Sequence, residues 1–333
     1  MTACLRPRRG ILAAVFACAA VVHGPQALAS PTLGYPEKPV RMIVPYPPGG
    51  ATDVIGRVLA RHLSERLGQQ IVVENRAGAG GSVGAGQVAK SPADGYTLLM
   101  GAMTSHSINA ALQPRSVPYD IQRSFVPIAI VGSVPLVFVV HPAVPAHSLA
   151  ELIALARSKP NSLTFASGGI GSPQHLAAEM FKRMVGVEVL HVPYKGSGPA
   201  MTDLVGGQVH AMIETAPAAH AHVRAGKLRA LATTTAEPVP SLPGVPTSAE
   251  AGLAGFEVRS IFGLAAPAGT AADIVSKLKA TLRDILSQQE VKDALLAQGV
   301  LAAYTTPEQA AQAIAAEYEK WAKVIRDGNI TVD

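Results

Sequence analysis

Past its N-terminal segment, the chain alternates between short apolar runs and longer amphipathic segments. Apolar runs of strand length occupy Arg41–Val44, Ile71–Val73 and Tyr96–Met100. Between the first two runs, apolar residues recur at helical spacing over Ile55–Leu67, and Gly68 follows as an expected C-terminal cap. Strands that alternate with helices are typical of a mainly parallel sheet with helices on its faces, which predicts an α/β fold.

A second alternating series follows the long apolar segment Phe125–Val140, which we expect to lead out of a first lobe. Ser148 with Glu151 predicts a capped helix, and Pro173 predicts the first residue of another helix. Strand-like runs continue at Leu163–Ala166, Val189–Pro193, Ala211–Glu214 and Leu228–Thr234. The two series together predict two lobes, each a mainly parallel sheet covered by helices.

The C-terminal third changes in character. Glu237–Gly255 is rich in Pro, Gly and Ser, which predicts a surface connection. A strand-like run at Phe256–Ala266 and helical segments up to Asp327 come after it. We expect these last helices to return to the first lobe. The predicted organisation is a signal peptide at 1–29, a discontinuous first domain at 30–133 and 236–333, and a second domain at 134–235.

The N-terminus has the layout of a secretory signal peptide. Three arginines precede the apolar run Ile11–Val22, and Ala27–Ala29 supplies a small-x-small cleavage site. Removing those arginines reduces the formal charge from +5 to about +2, which argues against nucleic-acid binding. Both cysteines, Cys4 and Cys18, lie in this segment, so we expect no disulfide or cysteine-bound metal in the mature protein. Export to the periplasm is the prediction, with lipidation of Cys18 as an alternative.

Two strand-to-helix junctions are dense in glycine. One contains Gly49 and Gly50, and the other is AGAGGSVGAG around Ser82. Such junctions present free backbone N–H groups at the positive end of a helix dipole, which suggests a receptor for a small anion. Asp53 lies in the first turn of the helix, where we expect it to satisfy free amides.

Other motifs leave an enzyme open as an alternative. Gly80–Gly84 matches the G-x-S-x-G pattern of serine hydrolases, with Ser82 as nucleophile. The cluster suits exposed amides better than one strained serine. Gly84–Ala89 matches a dinucleotide fingerprint only loosely, since no strand directly precedes it. His220 and His222 cannot share one helical face, and the sequence contains no HExxH pattern, so we expect no metal site. We also expect no cofactor.

Several motifs resemble one known family. They are VPYPPGGATD, VVENRAGAGGSVGA, ADGYTLLMG, HVPYKGSGPAMTDLVGGQV, AGKLRALA, LPGVPTSAEAG and FGLAAPAGT. These segments are similar to the extracytoplasmic receptors of tripartite tricarboxylate transporters, the Bug or TctC-like family. The resemblance runs from about Tyr35 to Trp321.

The resemblance implies a two-lobed periplasmic binding protein fold of type II, with a ligand cleft between the lobes. It implies a solute receptor that is not an enzyme, captures a small carboxylate, and delivers it to the permease subunits of a tripartite tricarboxylate-type transporter. It also implies ligand-binding loops and side chains in both lobes. These match Pro48, Gly49, Gly50, Thr52, Ala79, Gly80, Gly81, Ser82, Thr104 and Ser105, then Ser167, Gly168, Gly171, Ser172, Tyr194, Lys195, Gly196 and Glu214.

Two of the predicted site residues, His106 and Glu214, leave alternatives open. His106 follows the Thr104-Ser105 pair and could donate to an anion, although a structural histidine is equally compatible with the pattern. Position 214 is often aspartate in the family, so Glu214 leaves the identity of the carboxylate ligand open.

A sensory role, in which the loaded receptor contacts a membrane sensor kinase, is the alternative to transport. A monomer is the expected state.

Overall fold

A computed structural model of the chain describes residues 1–3 and 34–331. Its strands are β1 (Val40–Val44), β2 (Ile71–Asn75), β3 (Thr97–Ala102), β4 (Phe125–Val140), β5 (Thr164–Ser167), β6 (Leu190–Pro193), β7 (Ala211–Thr215), β8 (Arg229–Thr233), β9 (Arg259–Pro267) and β10 (Leu301–Ala302). Apart from its first three residues, the predicted signal peptide with both cysteines lies outside the described residues.

The helices alternate with these strands. They are α1 (Ala51–Leu67), α2 (Ser82–Ala89), α3 (Met103–Leu112), α4 (Leu149–Ser158), α5 (Pro173–Val185), α6 (Ser197–Val205), α7 (Ala216–Arg224), α8 (Ala272–Ser287), α9 (Gln289–Leu296) and α10 (Pro307–Gly328). A 3₁₀ turn at Ala79–Gly81 precedes α2. Gly68 ends α1 in the left-handed conformation, and Pro173 begins α5, as the sequence predicts.

The strands form one mixed sheet in the order β2-β1-β3-β9-β4-β7-β5-β6, with β8 and β10 also paired to β4. Parallel pairing joins β1 to β2 and β3, and it joins β5 to β6 and β7. Both parallel groups are linked through antiparallel strands, because β9 pairs with β3 and β4, and β4 pairs with β7. The predicted α/β class is confirmed, with antiparallel strands where the two series meet.

We call the part of the sheet with β1, β2, β3 and β9 the first half, and the part with β5, β6, β7 and β8 the second half. Alternating side chains divide the first half into two apolar layers. Met42 and Val44 of β1 pack with Ile55 and Leu59 of α1 in one buried cluster. Ile43, between the two β1 residues, points to the other face and joins a cluster that includes residues of α2, α3 and α10. The period of two along the strand therefore places helices on both faces of the sheet.

The long strand β4 belongs to both halves. Phe125–Pro135 pairs with β9, and the following Leu136–Val140 pairs with β7. In this second part Phe138 packs in one buried cluster and Val137 in another, so alternation again covers both faces. The chain therefore passes between the halves within one continuous strand.

Helix α10 also contacts both halves. Ala310 and Ile314 lie in a cluster of the first half, whereas Trp321 is fully buried in the cluster that contains Phe138. The predicted domain boundary at 235/236 remains a prediction. Phe256, beyond that boundary, packs against Phe138 with ring centroids 5.1 Å apart.

Candidate functional site

The loop between β1 and α1 is held by Asp53. Its carboxylate accepts hydrogen bonds at 2.9 Å from the Gly49 N–H, Arg57 Nε and Asn75 Nδ2. Burial alone would raise the pKa of this carboxyl, but these three donors outweigh burial and lower it. The prediction that Asp53 satisfies a loop amide is confirmed, and the carboxylate is a structural group.

The rest of that loop is open. Gly49 has a φ of 87°, and a Cβ added there would meet no atom within 4 Å. Gly50 is the N-cap of α1, and no side chain caps the helix there. Among the described residues, the first N–H groups of α1, which include that of Thr52, therefore have no side-chain partner at the positive end of the helix.

The second glycine junction forms a tight turn against Tyr46. Ala79, Gly80 and Gly81 all have positive φ values, of 47°, 63° and 94°. Asn109 of α3 donates to the Gly80 carbonyl at 2.9 Å and fixes the turn. A Cβ on Gly81 would lie 2.8 Å from Tyr46 Cζ, so only glycine permits this approach. Turns of this kind can present successive N–H groups to an anion.

Aromatic and polar side chains lie beneath this turn. His106 is fully buried, its Nδ1 lies 3.2 Å from Tyr119 Oη, and its Nε2 has no hydrogen-bond partner among the described residues. Burial lowers the pKa of His106 to about 4, so its ring is neutral at pH 7. Tyr46 Oη is buried beside Ser105 and also lacks a partner of hydrogen-bonding geometry. The cluster is polar and uncharged.

The two neighbouring hydroxyls at the start of α3 differ in their surroundings. Thr104 Oγ1 lies 2.7 Å from Glu317 Oε2 and accepts the Ile261 N–H at 3.1 Å. It therefore ties α3 to α10 and β9. Ser105, next to it, is partly buried on the side of Tyr46. Of the two hydroxyls that the sequence predicts as ligand contacts, Thr104 is held by the fold.

In the part of the chain that the structure describes, Ser82 has no hydrogen-bonded histidine or carboxylate of the kind that a hydrolase nucleophile requires. Burial raises the pKa of Tyr119 to about 12, although a hydrogen bond with the Ser82 hydroxyl partly lowers that pKa. A phenol of this pKa is no general base near neutral pH. No hydrogen bond joins Ser82 to an imidazole or carboxylate among the described residues. The geometry therefore gives no support to the hydrolase alternative.

In the second half, two histidines hold the loop between β5 and α5. Ser167 Oγ lies 2.7 Å from His191 Nε2, and the Gly171 N–H donates to His175 Nδ1 at 3.2 Å. The two rings stack, with centroids 4.0 Å apart and an interplanar angle of 15°. Burial is the main cause that lowers the pKa of each histidine to about 4. Ser172 caps α5 by accepting the His175 N–H at 3.2 Å.

The neighbouring loop between β6 and α6 is joined to this one. The N–H of Tyr194 donates to the Ser167 carbonyl, and that of Gly196 donates to the Gly168 carbonyl, both at 3.1 Å. The Tyr194 hydroxyl donates to Asp203 at 2.6 Å, and this bond raises the pKa of Tyr194 to about 12. That hydroxyl is therefore occupied, whereas its neighbour Lys195 is exposed to solvent.

Glu214 lies at the end of β7 and is fully buried. Its Oε1 accepts hydrogen bonds from Gln174 Nε2 at 3.1 Å and from the Thr215 N–H at 2.6 Å. Gln174 also donates to Ser197 Oγ at 3.0 Å. Glu214 thus joins the starts of α5 and α6 to the end of β7.

The predicted residues fall into two groups, one at the strand ends of each half. A contact between the halves lies beside them, because a Cβ on Gly171 would be 2.8 Å from Leu112 Cδ2 of α3. Sequence reasoning missed Tyr46, Gln174 and the stacked histidine pair. Tyr46 and His191 lie inside motifs that were singled out in the sequence, and no local pattern marks Gln174 or His175.

Other features of the described residues do not compete with this site. A cavity of about 380 Å³, lined by residues such as Asp120, Arg123 and Glu319, contains none of the predicted ligand residues. Residues 1–3 and 34–331 contain no cluster of three or more His, Cys, Asp or Glu side chains suited to a metal ion. Within the same ranges, no helix combines the length and apolarity that a bilayer crossing requires.

Comparison with known proteins agrees with the sequence motifs. A family model described as the tripartite tricarboxylate transporter family receptor matches residues 55–330. Protein BugT of Bordetella pertussis (strain Tohama I) is 44% identical over 294 residues, which cover 88% of this chain and 90% of that protein. The match to BugT spans both groups of strand-end loops.

Solved structures give the same answer for the fold. The structure of R. palustris Rpa4515 with adipate has a TM-score of 0.78 and 39% identity. The match covers 89% of this chain and 99% of the Rpa4515 chain. MatC (Rpa3494) from Rhodopseudomonas palustris with bound malate has a TM-score of 0.73 and 34% identity. The match covers 87% of this chain and 100% of the MatC chain. These matches confirm the resemblance, and the chain belongs to the tripartite tricarboxylate transporter receptor family of solute-binding proteins.

Proposed function

We propose that this chain is a periplasmic receptor that captures a small carboxylate-bearing solute between its two halves and delivers it to a tripartite tricarboxylate-type membrane transporter. The observation that carries the proposal is the arrangement of the strand-end loops. Each half presents one group of such loops, and Gly171 and Leu112 bring the halves into contact beside them. Two relatives of this fold hold adipate and malate, which are both carboxylates.

The first half supplies the carboxylate clamp in this proposal. Its loops offer the uncapped start of α1 and the turn at Ala79–Gly81, with the hydroxyls of Tyr46 and Ser105 nearby. Arg57 of α1 is engaged by Asp53. A carboxylate would thus be bound by neutral donors and helix ends, which stabilise an anion without a buried cation that would also need a partner after release.

Capture requires the halves to move relative to each other. They are connected by β4, whose partner changes after Pro135, and by α10, which packs on both halves. We propose these as the elements about which the cleft opens and closes, with lobes close to the predicted 30–133 with 236–333 and 134–235. The closed form would present the surface that the permease subunits recognise. The receptor would act as a monomer and without a cofactor.

Export follows from the proposed place of action. The predicted signal peptide at 1–29 would be removed on secretion, and N-terminal sequencing of the protein recovered from the periplasm tests the cut after Ala29. An N-terminus at Cys18 with an attached lipid would instead support the anchored alternative.

Binding is tested by calorimetric titration of the exported protein, stripped of co-purified ligand, with carboxylic acids and their primary amides. A ligand that binds only the folded state also raises the unfolding temperature, which gives an independent readout. We expect at least one acid to bind and its amide to bind at least tenfold more weakly. Equal binding of acid and amide, or no binding by any acid, would contradict the carboxylate clamp. Recovery of permease subunits on the loaded receptor tests delivery.

A further inference from the structure

The two oxygens of the Glu214 carboxylate have different surroundings. Oε1 accepts two hydrogen bonds, from Gln174 and from the Thr215 N–H, whereas Oε2 is buried and accepts none from the described residues. Glu214 takes part in no ion pair of the described residues within 4.0 Å. A buried carboxylate oxygen without a donor is strongly unfavourable, so Oε2 calls for a partner.

The two protein groups that donate to this carboxylate are already fully used. An amide nitrogen of glutamine carries two hydrogens. In Gln174 both are engaged, one by Glu214 Oε1 and the other by Ser197 Oγ. The Thr215 N–H is engaged by Oε1 as well. A donor for Oε2 must therefore come from outside these groups.

The position of Glu214 indicates that a bound solute supplies the hydrogen-bond donor for Oε2. Glu214 pairs with Val137 of β4, close to the point where that strand passes from one half to the other. Its donor Gln174 stands in the first turn of α5, and Ser197, which also accepts from Gln174, begins α6. Both helices follow directly after the two loops that the second half offers to a ligand. A Cβ on Gly168, in one of these loops, would be only 3.4 Å from Ser197 Oγ.

We propose that Glu214 Oε2 accepts a hydrogen bond from a hydroxyl or ammonium group of the solute, so that the receptor selects carboxylic acids that carry such a donor. This inference rests on the proposed function. A solute whose far end is only a second carboxylate would place two anionic groups together in a region of low dielectric, where their repulsion is strong.

The test uses pairs of acids that differ only in the donor. Suitable pairs, in which the donor stands at the end away from the carboxylate, are 4-hydroxybutyrate and butyrate, 4-aminobutyrate and butyrate, 6-aminohexanoate and hexanoate, and 4-hydroxyphenylacetate and phenylacetate. In calorimetric titrations of the wild-type protein, we expect at least one donor-bearing acid to bind tenfold or more tightly than its partner. The hydroxyl and ammonium arms identify which donor the site takes.

The variant Glu214→Gln makes the test sharper. Because two donors converge on Oε1, the glutamine oxygen must occupy that position, and its NH₂ group then stands at the Oε2 position. The free position changes from acceptor to donor. We expect the preference for the donor-bearing acid to fall below twofold or to invert. Glu188→Gln removes a solvent-exposed carboxylate of the same half and should leave the preference unchanged.

The outcomes separate the two proposals. If no acid binds, either in these pairs or in the wider panel of carboxylic acids, the proposed function fails and this inference fails with it. If acids bind but every pair binds within twofold on the wild-type protein, the function stands and the role of Glu214 is refuted. An unchanged preference in Glu214→Gln refutes it equally. The wild-type titrations decide the matter even if that variant does not fold.

Discussion

Replacing Gly81 by alanine should weaken both the fold and solute binding, because this residue is where the glycine turn meets the aromatic cluster. Its φ is 94°, and an added Cβ would lie 2.8 Å from Tyr46 Cζ and Oη and 3.0 Å from His106 Cε1. A left-handed conformation disfavours alanine by about 1 kcal/mol, and forcing a methyl group against packed rings adds about 1–3 kcal/mol. We expect a loss of about 2–4 kcal/mol in the free energy of unfolding.

The matched control is Gly68→Ala. Gly68 also has a positive φ, of 70°, but its added Cβ would meet no atom within 4 Å. This variant should lose only about 1 kcal/mol, the backbone part of the effect. The difference between the two variants then measures the contact with Tyr46 and His106.

Urea unfolding at pH 7 measures the stability of each variant, and titration with the best-binding acid measures affinity. Because the turn carries amides of the proposed clamp, Gly81→Ala should bind at least tenfold more weakly, whereas Gly68→Ala should bind like the wild type. Equal losses of stability in the two variants would refute the packing argument. Wild-type affinity in Gly81→Ala would refute the placement of the solute against this turn.

Two further predictions concern protonation and the hydroxyls of α3. Burial holds the pKa values of His106, His175 and His191 at about 4 in the folded protein, against 6.5 for the ordinary side chain. The unfolded chain therefore takes up these protons first as the pH falls, so stability should decrease between pH 7 and pH 5. The decrease should be about 2 kcal/mol for the fully buried His106 and smaller for each member of the stacked pair His175 and His191. A free energy of unfolding that stays constant over this range contradicts the assignment. Thr104→Val should lower stability by about 1–3 kcal/mol and leave affinity unchanged, since it strands a buried N–H of β9. Ser105→Ala should leave stability unchanged in urea unfolding and weaken solute binding in the titration. Weaker binding in Thr104→Val, with wild-type affinity in Ser105→Ala, would assign the ligand contact to Thr104.

Local chemistry explains why so much of the first half could be predicted. The helical spacing from Ile55 to Leu67 and the cap at Gly68 are properties of neighbouring residues, and the structure has both. Asp53 reaches the Gly49 amide only four residues away. Family and fold class were likewise predicted, since the motifs that carry them are contiguous segments.

What the sequence did not reveal depends on residues far apart in the chain. Thr104 meets Glu317 across 213 positions, and nothing near either residue marks the other as a partner. The stacking of His175 on His191 needs α5 and β6 to be placed by the sheet first. The role of β4 as a strand of both halves depends in the same way on the partners it finds after Pro135.

The two halves of the proposed site differ in chemical character, and this difference has a consequence for binding. The first half offers amides and the neutral cluster of Tyr46 and His106, which can donate to a carboxylate. The second half offers Glu214 Oε2, which can only accept while the group is ionised. A solute with a carboxylate at one end and a donor at the other fits this site in one orientation, because the reverse placement sets its carboxylate against Glu214. In this proposal neither half alone satisfies both ends, so complete recognition would require closure, which would couple docking on the transporter to the correct solute.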